Sequence, residues 1–319
     1  MKNTCVSRKN DQFLCVSFWK GGIPLRKPLF TGCAAALVTP FRRGAIDLDA
    51  FCALVERQLS AHTDALVVCA TTGEAPTLSR DERNALITAC IDLAKRRAPV
   101  IVGTGSNDTA HAVALSQEAE ALGADGVLVV TPYYNKATQA GLVAHYAAVA
   151  DAVRVPVILY NVPSRTGVSF TAETYAALAE HPNINGAKEA SGNFALIQDT
   201  RNRCGEDFYI WSGNDEDTTA IMALGGAGVV STAANLIPAD MRELTHLAMS
   251  GSLHKAGVLQ LRMTELLRAL FCEVNPIPVK TAMARLGLCA DELRLPLCAM
   301  QPENRKRLYA AMDAYGVQA

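Results

Sequence analysis

The chain has 319 residues, half of them hydrophobic, and its 30 basic side chains nearly balance 31 acidic ones. This balance argues against a general nucleic-acid binder, which carries a clear excess of lysine and arginine. No apolar run approaches the roughly 20 residues that a membrane-spanning helix needs. The length fits a single α/β barrel of roughly 250 residues with additions, or two smaller domains.

The ten cysteines are scattered, with no C-x-x-C pair and no histidine at ligand spacing beside them. Several lie inside apolar periodic segments, for example Cys52, Cys69 and Cys90. Buried free thiols in a reducing cytosol explain this pattern better than a disulfide framework or a zinc site. The sequence therefore predicts a cytoplasmic protein without a structural metal.

Residues 1–30 form a basic leader that differs from the rest of the chain. Its charged residues are Lys2, Arg8, Lys9, Lys20, Arg26 and Lys27, with Asp11 as the one acid. The apolar patch at 13–19 is too short for a signal peptide, and no small-residue cleavage site follows it. A transit peptide is the alternative, although the patch is not clearly amphipathic. We expect a poorly ordered extension over residues 1–30, or a start site assigned too early.

From Gly32 onward, short apolar runs alternate with segments of helical periodicity. The runs that we predict as strands cover residues 34–39, 65–69, 100–103, 126–131, 155–160, 184–188, 208–212 and 227–231. The helices predicted between them cover residues 48–59, 80–95, 110–122, 140–153, 172–178, 194–203 and 217–224. Capping residues precede several of these helices: Asp47, Asp108, Thr171, and Ser79 with Glu82 three positions later.

Eight near-continuous apolar strands alternating with helices are typical of parallel βα units that are buried on both faces. The pattern predicts an α/β fold, a closed (β/α)8 TIM barrel over residues 31–235. Only helical patterns follow, at 241–250, 253–271, 278–286 and 303–315, so we predict an appended C-terminal helical region over residues 236–319. An open doubly wound sheet is the alternative, but no G-x-G-x-x-G follows an early strand.

In a barrel of this kind the active site lies at the carboxyl ends of the strands. Those ends carry hydroxyls, phenols, exposed glycines and a single lysine, but no histidine or cysteine cluster. The carboxylates Glu74, Glu189 and Asp215 are too isolated to make a convincing metal site. The turn at 103–106 lacks the lysine of a phosphate-binding loop. These residue types predict a covalent mechanism centred on lysine.

Lys188 ends the sixth apolar run, which is an unusual place for a lysine. Lysine is almost never fully buried unless it is paired or used, and burial disfavours its charged form. It is therefore a candidate imine-forming nucleophile. The preceding run ends in Tyr160, with Arg165 just beyond, so a phenol and a guanidinium lie near the same edge. The structural alternative is a strand-end lysine that reaches solvent; the rival lysine, Lys280, lies in a helical segment.

Six motifs occur in order along the chain: ATTGEAPTL, YYNKATQAGL, LYNVPSRTG, GAKEASGN, WSGND and NPIPVKTAM. Together they resemble the family of dihydrodipicolinate synthase and N-acetylneuraminate lyase, from about Gly32 to the C-terminus. The paired threonines Thr71 and Thr72 and the arginine of LYNVPSRTG are similar to the synthase branch. One departure is Ala70, which stands where the family usually has a glycine.

The resemblance implies a class I aldolase-type reaction. Pyruvate would form an imine with Lys188 and add, as the enamine, to L-aspartate 4-semialdehyde. The product would be 4-hydroxy-tetrahydrodipicolinate, in the committed step of diaminopimelate and lysine biosynthesis. No cofactor other than this covalent imine is implied. Tyr160 would be the proton shuttle, connected through Thr71 to Tyr134.

The resemblance also implies the substrate-binding residues. Thr72, with Thr71, would bind the pyruvate carboxylate, and Arg165 would bind the carboxylate of the semialdehyde. Gly213 and Val230 match backbone positions near the lysine. The family pattern further implies a homo-oligomer, a dimer of dimers that makes a homotetramer, in which the second tyrosine of the Tyr133–Tyr134 pair reaches the neighbouring subunit's site. No nucleic-acid or membrane partner is implied.

Sensitive members of the family have a regulatory site for L-lysine. The corresponding positions here are Pro76, Arg80, Arg83, Gly105, Asn107, His111 and Tyr133. The acidic residue that would bind the ammonium group of the effector is replaced by His111, and the two arginines add positive charge. Positive charge disfavours a dication, so we predict weak or absent feedback inhibition by L-lysine.

Two other functions stay open from the sequence. One is another pyruvate-dependent class I aldolase or lyase, acting on N-acetylneuraminate or a 2-keto-3-deoxy sugar acid; a polyol substrate would need hydroxyl-binding partners in place of Arg165. The other is a non-catalytic barrel that binds a keto acid. Such a barrel would form no adduct on Lys188 when treated with pyruvate and borohydride.

Overall fold

The computed structural model describes residues 26–318, and most of the expected extension, residues 1–25, lies outside the described residues. Residues 26–30 pack across the amino-terminal end of the barrel. Phe30 is buried and stacks on Trp211, with 5.1 Å between the ring centroids. The Leu29 N–H donates to Asn185 Oδ1 at 2.9 Å, and the Arg26 guanidinium donates to carbonyl oxygens beside the start of a barrel strand. These residues therefore belong to the packed structure.

Eight parallel strands close into one barrel. They are β1 Gly32–Ala36, β2 Ala65–Val68, β3 Val100–Gly103, β4 Gly126–Val130, β5 Val157–Asn161, β6 Ile184–Glu189, β7 Tyr209–Ser212 and β8 Gly228–Ser231. Each strand pairs with the next, and β8 pairs with β1 to complete the ring. At that seam a Cβ on Gly228 would overlap the Gly32 carbonyl oxygen, so glycine is required. The predicted closed barrel is confirmed.

Side chains of the strands point alternately into the barrel and out towards the helices, as the two-residue period of a strand requires. The inner cluster includes Ala34, Val67, Ile101, Leu128 and Ile158. The outer cluster joins the other face of each strand to the helices. Because both faces are covered, the strands are apolar along nearly their whole length. Polar side chains on the inner face are therefore exceptions that need a reason.

The helices surround the barrel and extend beyond it. Around the strands lie α1 Leu48–Ser60, α2 Arg80–Ala94, α3 Thr109–Leu122, α4 Gln139–Ala152, α5 Pro163–Thr166, α6 Ala172–Ala179, α7 Phe194–Cys204 and α8 Thr218–Ala223. The C-terminal region holds α9 Pro238–Met249, α10 Leu253–Leu270, α11 Ile277–Arg285 and α12 Pro302–Tyr315. None of the helices between residues 26 and 318 combines the length and apolarity that crossing a bilayer requires.

The predicted caps are present. Asp47, Asp108 and Thr171 each accept a hydrogen bond from a backbone N–H in the first turn of the following helix. Ser79 and Glu82 form a complete capping box at α2. Three features were not predicted: the hairpin of Phe41–Arg42 with Ala45–Ile46, the four-residue α5, and short 3-10 turns after three strands. All are too short to show a period in the sequence.

Candidate active site

Lys188 and Tyr160 face each other at the carboxyl ends of β6 and β5, where they are directly paired across the two strands. The Lys188 Nζ lies 4.2 Å from the centre of the Tyr160 ring. The two residues are only 5% and 6% exposed. The structure thus brings the predicted nucleophile and the predicted proton shuttle together, out of bulk water. The amine lies inside the barrel because position 188 falls on the inward-facing register of β6.

Gly213 follows β7 and packs directly against the lysine. A Cβ at this position would lie 3.1 Å from Lys188 Cε and 2.7 Å from Ala190 Cβ. Real Cβ atoms avoid such short contacts, so the glycine leaves the room that the lysine side chain occupies. Val230, on β8, is buried in the same inner cluster as Tyr160. Gly213 therefore borders the lysine side chain, and Val230 lies in the interior of the same barrel.

The paired threonines occupy the tight loop after β2. Thr72 is buried, and its Oγ1 accepts a hydrogen bond from Asn275 Nδ2 at 2.9 Å and lies 3.3 Å from Thr232 Oγ1. Thr71 is half-buried and lines a cavity at the barrel mouth. Ala70 lines the same cavity, so the extra methyl group is accommodated beside the threonines. The loop presents one hydroxyl to the cavity and holds the other in a buried network.

The cavity at the barrel mouth has a volume of about 900 Å³ and contains several predicted site residues in its wall. Thr71, Tyr160 and Arg165 contribute to it, together with Tyr133 and Asn275. Lys188 is not part of the wall itself, but its Nζ lies against the ring of Tyr160, which is. The volume is ample for two small carboxylic acids at once.

Arg165 and Tyr134 lie at the outer edge of the site. Arg165 is exposed in α5, where its Nη2 donates to the Asn275 carbonyl oxygen at 3.2 Å. Its remaining donors are available to an anion entering the cavity. Tyr134 is 90% exposed and has a positive φ of 72°. The structure therefore places Tyr134 on the surface and does not bring it to Tyr160 within one chain.

Asn275 is a site residue that the sequence reasoning missed. Its amide donates to Thr72, its carbonyl accepts from Arg165, and it is buried at the cavity wall. It therefore connects both groups that the family pattern assigns to substrate carboxylates. Asn275 is the first residue of the motif NPIPVKTAM. Because this motif lies outside the strand ends, its place in the chain did not predict a role in the site.

Two buried carboxylates lie near Lys188: Glu189 is the last residue of β6, and Asp215 follows β7. Glu189 accepts hydrogen bonds from Asn161 Nδ2, the Ser191 N–H and the Tyr175 hydroxyl, the last at 2.8 Å. Burial raises the pKa of Tyr175 well above its usual value, so the phenol stays a donor to Glu189. Burial also raises the pKa of Asp215, which accepts from two backbone N–H groups after β8. Between residues 26 and 318, no three His, Cys, Asp or Glu side chains are grouped to hold a metal ion.

The positions that match the regulatory site line the same cavity as Tyr160. They are Pro76, Arg80, Arg83, Gly105, Asn107, His111 and Tyr133. Two acids, Glu74 and Glu118, also line the cavity. Glu118 is held by Arg80 Nε at 2.7 Å and Asn84 Nδ2 at 2.9 Å. These hydrogen bonds lower the pKa of Glu118, so the carboxylate stays charged and engaged. His111 lies next to Ser106, with 3.5 Å between its Nδ1 and the hydroxyl oxygen.

Comparison with known proteins gives consistent matches over nearly the whole described chain. The profile of the Dihydrodipicolinate synthetase family matches residues 29–315. The 4-hydroxy-tetrahydrodipicolinate synthase of Geobacter metallireducens is 49% identical over 287 residues, which cover 90% of this chain and 99% of the relative.

Solved structures of similar proteins agree with this match. Dihydrodipicolinate synthase from Aquifex aeolicus superposes with a TM-score of 0.89 at 44% identity, covering 90% of this chain and 99% of its own. The chloride-inhibited dihydrodipicolinate synthase from Acinetobacter baumannii, complexed with pyruvate, has a TM-score of 0.88 at 41% identity, with 90% and 99% covered.

Proposed function

The chain belongs to the dihydrodipicolinate synthetase family, and from this membership we propose that it condenses pyruvate with L-aspartate 4-semialdehyde to 4-hydroxy-tetrahydrodipicolinate. The enzyme is a lyase that acts in the diaminopimelate route to lysine. The observation that carries the proposal is the buried amine of Lys188, 4.2 Å from the Tyr160 ring at the mouth of the barrel. A primary amine in that position is suited to forming an imine with a keto acid.

The proposed reaction begins with attack of the Lys188 amine on the keto carbon of pyruvate. Loss of water gives the protonated imine, which draws electrons from the methyl group so that the methyl carbon loses a proton. The enamine carbon then attacks the aldehyde carbon of the semialdehyde. Finally the amino group of the semialdehyde attacks the imine carbon, closes the ring and releases Lys188.

The remaining residues have supporting roles in this proposal. Tyr160 moves the protons, with Thr71 linking it to Tyr134, and Thr72 helps to hold the pyruvate carboxylate through the loop after β2. Arg165 binds the carboxylate of the semialdehyde, since a planar guanidinium suits a carboxylate. Gly213 and Val230 shape the wall around the amine. The imine with Lys188 takes the place of a cofactor.

The proposal includes a second copy of the chain. Tyr134 is exposed on its own chain, which fits a hydroxyl that completes the site of a neighbouring subunit in a dimer of dimers. We place the enzyme in the cytoplasm, because the cysteines among residues 26–318 are free thiols and free thiols persist in reducing compartments.

Trapping with borohydride tests the central step. The wild-type protein treated with pyruvate and borohydride is expected to gain one reduced pyruvyl group on Lys188, located by peptide mass mapping. Lys188→Arg keeps the charge but is expected to form no adduct, while Lys95→Arg, at a solvent-facing helix end, is the matched control. An intact wild-type mass after treatment would contradict the proposal. Activity with the semialdehyde, compared with activity on sugar acids, separates the synthase from the lyases.

Insensitivity to L-lysine is part of the proposal. Arg80 occupies the carboxylate of Glu118, and His111 replaces the acid that would bind an ammonium group. We expect millimolar L-lysine to leave the initial rate unchanged, and His111→Glu to lower the inhibition constant relative to His111→Gln. Micromolar inhibition of the wild type in a steady-state assay would refute this expectation.

A further inference from the structure

The loop after β2 is held at consecutive residues by groups from other parts of the chain. Thr72 is bound to the C-terminal region, as described above. The Gly73 carbonyl accepts a hydrogen bond from Thr39 Oγ1 at 2.7 Å. The Glu74 carboxylate accepts one from Lys280 Nζ, also at 2.7 Å. A loop fixed at three successive residues has little freedom to move its hydroxyl groups.

Lys280 and Glu74 form an ion pair in which neither side chain has any exposed surface. The Lys280 ammonium also donates to the Thr39 carbonyl oxygen at 2.9 Å and lies 4.3 Å from the centre of the Phe41 ring. The second carboxylate oxygen of Glu74 accepts from the Arg294 N–H at 3.1 Å. Lys280 thus binds Glu74, which follows Gly73 in the loop, and also Thr39, whose hydroxyl donates to the Gly73 carbonyl oxygen.

Stability alone does not account for this pair. Burying two charges costs solvation energy, and replacing a buried ion pair with apolar side chains of similar size is often neutral or stabilising. Glu74 has a positive φ of 51°, a conformation that a non-glycine residue keeps only when its surroundings enforce it. The Glu74 N–H donates to the Thr71 carbonyl at 3.1 Å, so the conformation of Glu74 fixes the position of Thr71.

We propose that the Lys280–Glu74 ion pair is a positioning device that holds Thr71 and Thr72 in line with Tyr160, so that the C-terminal region controls the rate of proton transfer. This inference rests on the proposed function, in which Thr71 relays protons to Tyr160. Neither member of the pair touches substrate; both act through the loop. A displacement of about 1 Å in a reacting group can reduce a rate about 10²-fold, so a small shift of the loop is enough.

The test replaces both charges in the full-length protein with apolar side chains, in the variant Glu74→Leu/Lys280→Met. The matched control is Glu303→Leu/Lys306→Met, an exposed pair on α12 of the same C-terminal region. Exchange of the pyruvate methyl protons for deuterium, followed by NMR, reports proton transfer without the second substrate. Borohydride trapping reports imine formation. We expect near-wild-type melting and trapping for the test variant, with exchange slowed at least ten-fold; the control should resemble wild type in every measurement.

The possible outcomes separate the two proposals. A stable test variant that exchanges protons at the wild-type rate would overturn the positioning role and leave the chemistry of Lys188 intact. A wild-type protein that forms no adduct on Lys188 would overturn both. Glu74→Gln/Lys280→Met serves if the first double variant does not fold, because it also removes both buried charges but keeps an acceptor for the Arg294 N–H. It should also slow exchange with normal trapping, and a wild-type exchange rate would again refute the proposal.

Discussion

At the scale of single residues, the Lys188 amine is enclosed by neighbours that the strands place around it. Tyr160 covers it on one side, and Gly213 leaves the space that its side chain fills. Glu189, the next residue along β6, is locked by Tyr175 and Asn161 and fixes the end of the strand. The Lys188 side chain therefore has little space in which to adopt another rotamer.

Gly213→Ala tests how tightly the amine is held. The new methyl group would press on Lys188 Cε and Ala190 Cβ, and overpacking of this kind costs about 1–3 kcal/mol. We expect the rate of imine formation with pyruvate to fall at least ten-fold, measured by time-resolved borohydride trapping. The fold should persist, with a lower midpoint in urea unfolding.

The matched control for this substitution is Gly257→Ala in α10. A Cβ at Gly257 meets nothing within 4 Å, and alanine stabilises a helix interior by about 0.5–1 kcal/mol relative to glycine. This variant should be slightly more stable and fully active. If Gly213→Ala trapped pyruvate as fast as Gly257→Ala, the amine would not be confined as described.

At the scale of elements, the start of α2 connects the barrel to the C-terminal region. The Ser79–Glu82 capping box begins the helix, and Arg294 donates to the Glu82 carboxylate from the C-terminal region. The hydrogen bond from Arg294 is the main cause that lowers the pKa of Glu82 from 4.5 to about 2. The backbone N–H of the same arginine donates a hydrogen bond to the Glu74 carboxylate.

Glu82→Gln is expected to change how stability depends on pH. A carboxylate with a depressed pKa stabilises the fold above its unfolded value, and that contribution is lost as the pH falls from about 4.5 towards 2. The variant should be destabilised by about 1 kcal/mol at pH 7, because glutamine keeps the capping bond to the Ser79 N–H but loses the ion pair with Arg294. It should also lose less stability than wild type on acidification. Urea unfolding at pH 7, 4 and 3 measures both effects.

Glu303→Gln is the control, because this carboxylate forms only an exposed pair with Lys306 and such pairs contribute little. Its unfolding curves should coincide with wild type at each pH. Equal acid sensitivity of Glu82→Gln and wild type would show that the bond between Arg294 and Glu82 does not set the pKa.

Regular elements were predictable from the sequence because their periods are visible in it. The apolar runs predicted β3 with the bounds that the structure shows, and the pair Ser79 and Glu82 correctly predicted where α2 begins. The end of β1 was misplaced: the predicted strand ran to Thr39, whereas β1 ends at Ala36. The apolar run continues past the end of the strand, because residues 37 and 38 are still buried and the Leu37 N–H still donates to the Val67 carbonyl oxygen of β2 at 2.9 Å.

The contacts across the site were not predictable in the same way. Lys188 gave a signal because a lysine interrupts a buried strand. Lys280 gave none, since a lysine in a helical pattern is normally solvated, and its buried partner Glu74 lies far away in the sequence. Asn275 was hidden for the same reason. Side chains that meet only through the fold carry no local pattern.

At the scale of the whole molecule, apolar side chains remain exposed around the mouth of the barrel. Tyr134 and Leu295 are 90% and 82% exposed, and Val274 and Tyr133 add to the same region by lining the cavity rim. Exposed apolar patches of this kind mark interaction surfaces. A second copy of the chain that covers this rim would bring a tyrosine hydroxyl to each site.

Complementation between two variants tests whether Tyr134 acts across such an interface. Lys188→Arg and Tyr134→Phe should each be strongly impaired alone. In a co-expressed hybrid dimer, the chain with an intact Lys188 would receive Tyr134 from its neighbour, so one site of the two should recover. Steady-state activity of the purified hybrid, isolated by two different affinity tags, measures the recovery.

No recovery in the hybrid would show that Tyr134 serves only its own chain. Lys188→Arg paired with Lys188→Arg, bearing the same two tags, is the control for the purification and should stay inactive. Recovery above that control supports a site built from two chains.

Phe30 closes the amino-terminal end of the barrel. Phe30 lies flat on the Trp211 ring, the indole N–H is bonded to the Phe30 carbonyl at 3.2 Å, and Trp211 stands beside Lys188 in strand register. A shortened protein that starts after Phe30 would lack this closure, and solvent would reach the amine from the amino-terminal end of the barrel. A truncated protein should therefore keep all residues from Arg26 onward.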